Sequence, residues 1–83
     1  MDEEIIVDEM SFDDLDEVIE IEKASFPLPW TKKLFLDELE KDHSFNLVVR
    51  NGDKGGNGIV AYIVFWKTAD EMHILDLAVH PAF

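Results

Sequence analysis

Ser25-Phe26-Pro27-Leu28-Pro29-Trp30-Thr31 is the stretch on which the reading of this 83-residue chain turns. Each proline lacks a backbone N–H and drives the residue before it out of helical geometry, so no helix passes through. A stiff, aromatic loop results. On its amino-terminal side Phe12, Leu15, Val18 and Ile19 recur at helical spacing among Asp and Glu, which predicts an amphipathic helix with one face toward a core. Ser11 stands where it can cap that helix, with Asp14 as the acid of a capping box and Met10 and Leu15 at the two positions of a hydrophobic staple. On the carboxyl-terminal side Thr31 caps a second, shorter helix. Trp30 and Phe35 take its staple positions, and Leu34, Phe35 and Leu39 form its apolar stripe.

Further out the period changes from helical to alternating. Ser44 to Arg50 sets Phe45, Leu47 and Val49 against Ser44, Asn46 and Arg50, the pattern of a strand with one wet face. Asn51 to Gly58 (NGDKGGNG) tolerates positive φ and leads into Ile59 to Trp66, so the two runs read as a hairpin. No helix follows that glycine-rich turn, which argues against a phosphate-binding loop. Glu71 to His80 (EMHILDLAVH) is a further strand, closed by Pro81, and Glu4 to Met10 is a first one. The predicted order is β-α-α-β-β-β: an α+β fold with an antiparallel sheet, in one domain.

Composition narrows the function. Net charge is −12, and Met1 to Glu22 holds eleven acids with no Lys or Arg, so nucleic-acid phosphate would be repelled. A cationic partner, such as a basic protein terminus, would be favoured by the same field. There is no cysteine, which excludes disulfides, thiolate zinc sites and a cysteine nucleophile. His43, His73 and His80 share no ligand spacing, so no metal is expected. The acidic start lacks a long apolar stretch, which predicts no signal peptide, no membrane span and a cytoplasmic location.

Two segments carry a family resemblance. Ser25 to Thr31 with Phe35 resembles the SFP-x-PW-[ST]...F segment that joins the first two helices of the RimI-like ribosomal-protein alanine N-acetyltransferases, within the GNAT superfamily. Ile74-Leu75-Asp76-Leu77-Ala78-Val79-His80-Pro81-Ala82-Phe83 is similar to that family's fourth strand, in which asparagine is frequent where Asp76 stands. The resemblance implies a partial GNAT fold, α/β in the family's sense, with acetyl-CoA as co-substrate and a protein N-terminal amine, such as that of a ribosomal protein, as acceptor. In the family a glycine turn that binds the coenzyme's pyrophosphate comes directly after the fourth strand. Residues 1–83 are therefore expected to be the amino-terminal part of a single acyl-CoA N-acyltransferase domain, truncated after that strand and inactive alone.

By the same resemblance Leu77, Ala78 and Val79 bind the cofactor through main-chain amides. Phe26, Pro27, Leu28 and Trp30 wall the acceptor pocket, and Asp76 contacts the acceptor. No general base stands out. Strict alternation puts His73 and Asp76 on opposite faces of the strand, and Asp76 and His80 lie about 13 Å apart at roughly 3.3 Å per residue. Two other readings compete: a GNAT enzyme acting on a lysine or small amine, and a non-enzymatic module that pairs with a partner or a second copy through its exposed fourth-strand edge.

Overall fold

In the computed structural model, which describes residues 5–51 and 58–83, the proline-stiffened loop separates two helices as its sequence requires. The chain runs through strand β1 (Ile5–Glu9), a 3-10 turn (Phe12–Asp14), helix α1 (Leu15–Ser25), helix α2 (Lys32–Leu39) and strands β2 (Ser44–Asn51), β3 (Gly58–Lys67) and β4 (Met72–Val79). The predicted order is the observed one. The strands form one antiparallel sheet in the order β1-β2-β3-β4, leaving β1 and β4 at its edges among the described residues. Of the turn expected at 51–58, residues 52–57 lie outside the described residues. No helix among the described residues is long and apolar enough to cross a membrane.

Both caps act as local chemistry predicts. The Ser11 N–H donates to Asp14 Oδ2 at 2.9 Å, and Thr31 Oγ1 accepts from the Leu34 N–H at 3.3 Å. Met10 and Leu15 are both buried, and the Trp30 and Phe35 rings lie 5.0 Å apart. Leu15, Val18, Ile21 and Glu22 form the buried stripe of α1. Two expected stripe residues fall elsewhere. Phe12 ends in the 3-10 turn rather than the helix and is exposed beneath the Lys32 ammonium, 5.0 Å from its ring centre. Leu34 is also exposed, because Phe35, the next residue along α2, takes the inward direction, with Leu36 and Leu39 at the core's margin.

The helices cover one face of the sheet. Val48, Tyr62 and Ala78 form one row across it beneath them, and Asn46, Val64 and Asp76 form the next. On the opposite face Val7, Val49, Ala61 and Val79 align, followed by Leu47, Ile63 and Leu77, then by Phe45, Phe65 and Ile74. Phe45 and Phe65 stack at 5.4 Å there.

The ladder between β3 and β4 is irregular at one point. Val64 pairs with Asp76 and Phe65 with Ile74, so Leu75 is an extra residue in β4, a β-bulge. The bulge resets the alternation, placing Leu75 and Asp76 in succession on the helix side. It also corrects the facing of His73, which pairs with Trp66 and so shares a face with Asp76.

Candidate functional site

Glu22 holds the loop. Its main-chain carbonyl accepts from the Phe26 N–H at 3.0 Å, closing α1, and its Oε2 accepts from the Trp30 N–H at 2.9 Å. One residue thus fixes both ends of the Phe26–Trp30 segment. The Trp30 ring rests on Phe35, whose ring meets Tyr62 edge-on at 5.9 Å. Between these anchors Leu28 stands 90% exposed, supported by a proline on each side. The loop therefore presents apolar surface without needing to be ordered on contact.

The loop faces the bulge of β4 across a pocket of about 390 Å³, lined by Glu22, Phe26, Pro27, Leu28, Trp30, Leu75 and Asp76. All five residues that the sequence offered for the acceptor lie on this one surface. Asp76 takes this side by regular alternation from Ala78, and the bulge sets Leu75 beside it. Glu22 and Asp76, both buried, form the floor, and Leu28 stands at the rim.

The floor is an acid pair against a phenol. Glu22 Oε1 accepts from the Tyr62 hydroxyl at 2.5 Å, so both Glu22 oxygens hold donors. Asp76 is less well served: Oδ1 accepts from the Leu77 N–H at 3.0 Å, while the buried Oδ2 has no donor. Two ionised carboxylates cannot bond to each other, so Asp76 and Glu22 make a hydrogen bond only when one of them carries a proton. Because Glu22 is already satisfied, that proton settles on Asp76. Burial first, and the Glu22 carboxylate second, push the Asp76 carboxyl up to about 7, against the opposing pull of the Leu77 N–H. Burial and then Glu22 likewise raise the Tyr62 phenol far above its ordinary range.

Next to the pocket β4 forms the sheet's edge. The His80 N–H donates to the Val60 carbonyl at 2.7 Å. Alternate residues of an antiparallel ladder exchange bonds, so the Ala78 peptide groups turn inward to β3 while those of Leu77 and Val79 turn outward. The Leu77 N–H is already occupied by Asp76. Of the three positions expected to offer amides, Val79 keeps an N–H turned to the open side and Leu77 a carbonyl. Ala78 instead contributes a small side chain to the core.

Other polar groups are engaged in holding the fold. Arg50 bridges Asp14, at 2.8 and 3.0 Å, and Asp8, at 2.9 Å. Burial opposes the Asp14 charge, but Arg50 and Ser11 prevail and hold its carboxyl below the ordinary range. Glu38 is similarly lowered, since burial is outweighed by Lys41, Trp66 and Ser44. A second cleft, of about 460 Å³, lies at the far end of the sheet between Met10, Leu39 and Phe45. Among the described residues no three His, Cys, Asp or Glu side chains group as metal ligands. His73 contacts Glu71 at 2.7 Å, and His80 accepts from the Ala82 N–H at 3.0 Å.

Glu22 and Tyr62 escaped the sequence reading. Glu22 had a legible signal: it lies four residues after Val18 and seven after Leu15, on the buried stripe itself.

Known proteins share both the order of elements and the matched segments. The family model described as acetyltransferase (GNAT) family matches residues 15–83. A Bacillus subtilis (strain 168) protein named as a ribosomal protein bS18-alanine N-acetyltransferase is 36% identical over 75 residues, covering 89% of this chain and 47% of the relative. The crystal structure of the ribosomal-protein-S18-alanine N-acetyltransferase from Escherichia coli superposes with a TM-score of 0.78 at 20% identity, over 95% of this chain and 48% of that one. A glucosamine N-acetyltransferase region of a fungal multi-domain β-N-acetylglucosaminidase gives 0.71 at 22% identity, over 100% of this chain and 10% of that one. These two structures share the fold. The chain spans about half the length of the alanine N-acetyltransferases it matches.

Proposed function

Since the chain belongs to the acetyltransferase (GNAT) family, we propose that residues 1–83 are part of one acyl-CoA N-acyltransferase domain that moves an acetyl group from acetyl-CoA to the α-amine of a protein N-terminus. The acceptor class is an alanine-initiated terminus such as that of a ribosomal protein, the substrate named for the B. subtilis relative. One observation carries the reading. The stiff Phe26–Trp30 pocket opens against β4 at Asp76, next to Leu77 and Val79, whose peptide groups face the sheet's open edge.

Acetyl-CoA supplies an activated acyl carbon and a thiolate leaving group. The open edge of β4 fits an extended, amide-bearing arm, because an unpaired strand edge adds a further strand through main-chain bonds. The Val79 N–H and Leu77 carbonyl would pair with it. An N–H on that edge is also suited to an oxyanion formed at the thioester carbon, since main-chain donors need no rearrangement as charge develops. On the acceptor side Phe26, Pro27, Leu28 and Trp30 would hold the first residues of the terminus, and the rigidity set by Glu22 limits the entropy lost on binding. An α-amine of ordinary pKa, about 7.7 to 8.0, needs only mild deprotonation before it attacks. The chain's net charge of −12 favours a cationic terminus.

The test is to incubate the longest product of the encoding gene with acetyl-CoA and three acceptors. These are an alanine-initiated peptide, an amino-blocked peptide with one internal lysine, and glucosamine. The expected result is one acetyl group on the alanine peptide by mass spectrometry, with the other two unchanged. Transfer to lysine or glucosamine alone would replace this acceptor with another, and no transfer at all would refute the proposal. The 83 residues by themselves are expected to show no turnover.

A further inference from the structure

We propose that Asp76 is the seat for the acceptor's α-ammonium group, a specificity-determining residue that lets the pocket take a free amine and refuse a blocked one; this rests on the acyl-transfer reading of the same pocket.

The pocket floor lacks a donor. Asp76 is 8% exposed, and its Oδ2 is buried without a hydrogen-bond partner, a state that costs free energy unless something fills it. The other acid of the floor has no capacity left: the Tyr62 hydroxyl and the Trp30 N–H occupy both Glu22 oxygens. The loop residues from Phe26 to Trp30 bring no charge of their own. Two acids therefore lie under an otherwise apolar pocket with no cation among its lining residues, and the one unfilled acceptor is Asp76 Oδ2. A primary ammonium supplies a positive charge and three donors, which suits an acid pair of this kind.

A purely structural acid would not be built this way. Asp14 and Glu38, the other buried acids at the edges of this core, are surrounded by donors and cations. Asp76 instead repels Glu22 unless protonated, so in the resting state a proton, and no donor or cation of the protein, keeps the two acids together. An acid pair that stays together only by holding a proton is suited to a cationic ligand that takes the proton's place.

The same geometry predicts a proton count. At rest the shared proton sits on Asp76, facing Glu22 on α1 and Tyr62 on β3, the titratable groups packed against it. An arriving ammonium takes over the proton's electrostatic role. The Asp76 proton then leaves to solvent, and the carboxylate accepts an N–H of the ammonium. Binding near pH 7 therefore releases protons.

Calorimetry on the longest product of the encoding gene tests this with the alanyl-glycyl-glycine amide peptide and its N-acetylated twin, each measured in two buffers of different ionisation heat. The free amine is expected to bind at least about tenfold more tightly than the twin, with protons released at pH 7. Asp76→Asn, nearly isosteric, should abolish both the preference and the release while its thermal transition shows it folded. Leu28→Ala should weaken both peptides alike and leave their ratio unchanged. Equal binding of the two peptides, unaltered preference in Asp76→Asn, or failure of the free amine to bind would overturn the proposal. Transfer to the alanine peptide with a KM unchanged by Asp76→Asn would sink this inference and leave the acyl-transfer reading standing. Amine-selective binding lost in Asp76→Asn, with no acetyl transfer by the gene product, would do the reverse.

Discussion

The two faces of the sheet are built from the same alternating strands and differ in nearly everything else. On the helix-covered face charged groups are buried: Glu22 at 1% exposure, with Asp14, Glu38 and Asp76 also inside. On the open face apolar groups meet solvent, among them Val7, Phe45, Ile74, Leu77 and Val79. Hydropathy therefore does not decide position here. A charge can be buried where donors from remote parts of the chain converge on it, as Tyr62 and Trp30 do on Glu22. An apolar row stays exposed when no element of the described structure lies over it.

The contrast breaks most visibly by cavity formation. Phe35→Ala removes a fully buried ring that supports both Trp30 and Tyr62, and should cost about 3 to 5 kcal/mol in urea unfolding. Its loss should also loosen the pocket. Glu22→Leu is next: it keeps apolar volume but strands the Tyr62 hydroxyl and the Trp30 N–H, at about 2 to 4 kcal/mol. A change below about 0.5 kcal/mol would show that these donors find other partners.

Asp76 should behave in the opposite sense. Its folded-state pKa is raised from 3.8 to about 7, so the folded chain holds a proton that the unfolded chain releases earlier. Its contribution is full below pH 4 and is lost as pH rises through about 7. Asp76→Asn should therefore raise Tm at pH 8 by several degrees and change it little at or below about pH 4, since each kcal/mol is roughly 4 to 8 °C in a domain of this size. Asp14 has the reverse sign. Its pKa is lowered, so it stabilises above the unfolded value and loses that effect as pH falls through the folded one. Scans across pH 2 to 9 should show both limbs, with only the upper one flattened in Asp76→Asn. The smallest effect belongs to the open face, where Ile74→Thr should stay within about 0.5 kcal/mol.

What could be read from the sequence divides along the same line. The helix starts, the break at Pro27 and Pro29 and the order of strands are set by neighbours a few residues apart, and Ser11, Thr31 and the prolines announce them. The pocket's loop residues were legible for the same reason. Glu22 was legible in its spacing from Leu15 and Val18 but not in its role, because an acid on an acidic helix reads as solvated until Tyr62, forty residues away, supplies its donor. The bulge at Leu75 was hidden too: Ile74, Leu75 and Leu77 are all apolar, and only the register against β3 shows which one is extra. Strict alternation consequently gave His73 the wrong face. Leu77, Ala78 and Val79 all fall in β4 as the sequence pattern predicts, but which of their amides point outward depends on the pairing of His80 with Val60.

The location of acceptor binding gives the most direct test, read from amide shifts of the labelled chain as an alanine-initiated peptide is added. Perturbations should gather at Phe26, Leu28, Trp30, Leu75 and Asp76, where the loop meets the bulge. Shifts gathered instead at Phe45, Ile63 and Phe65 would move recognition to the open face and contradict the account.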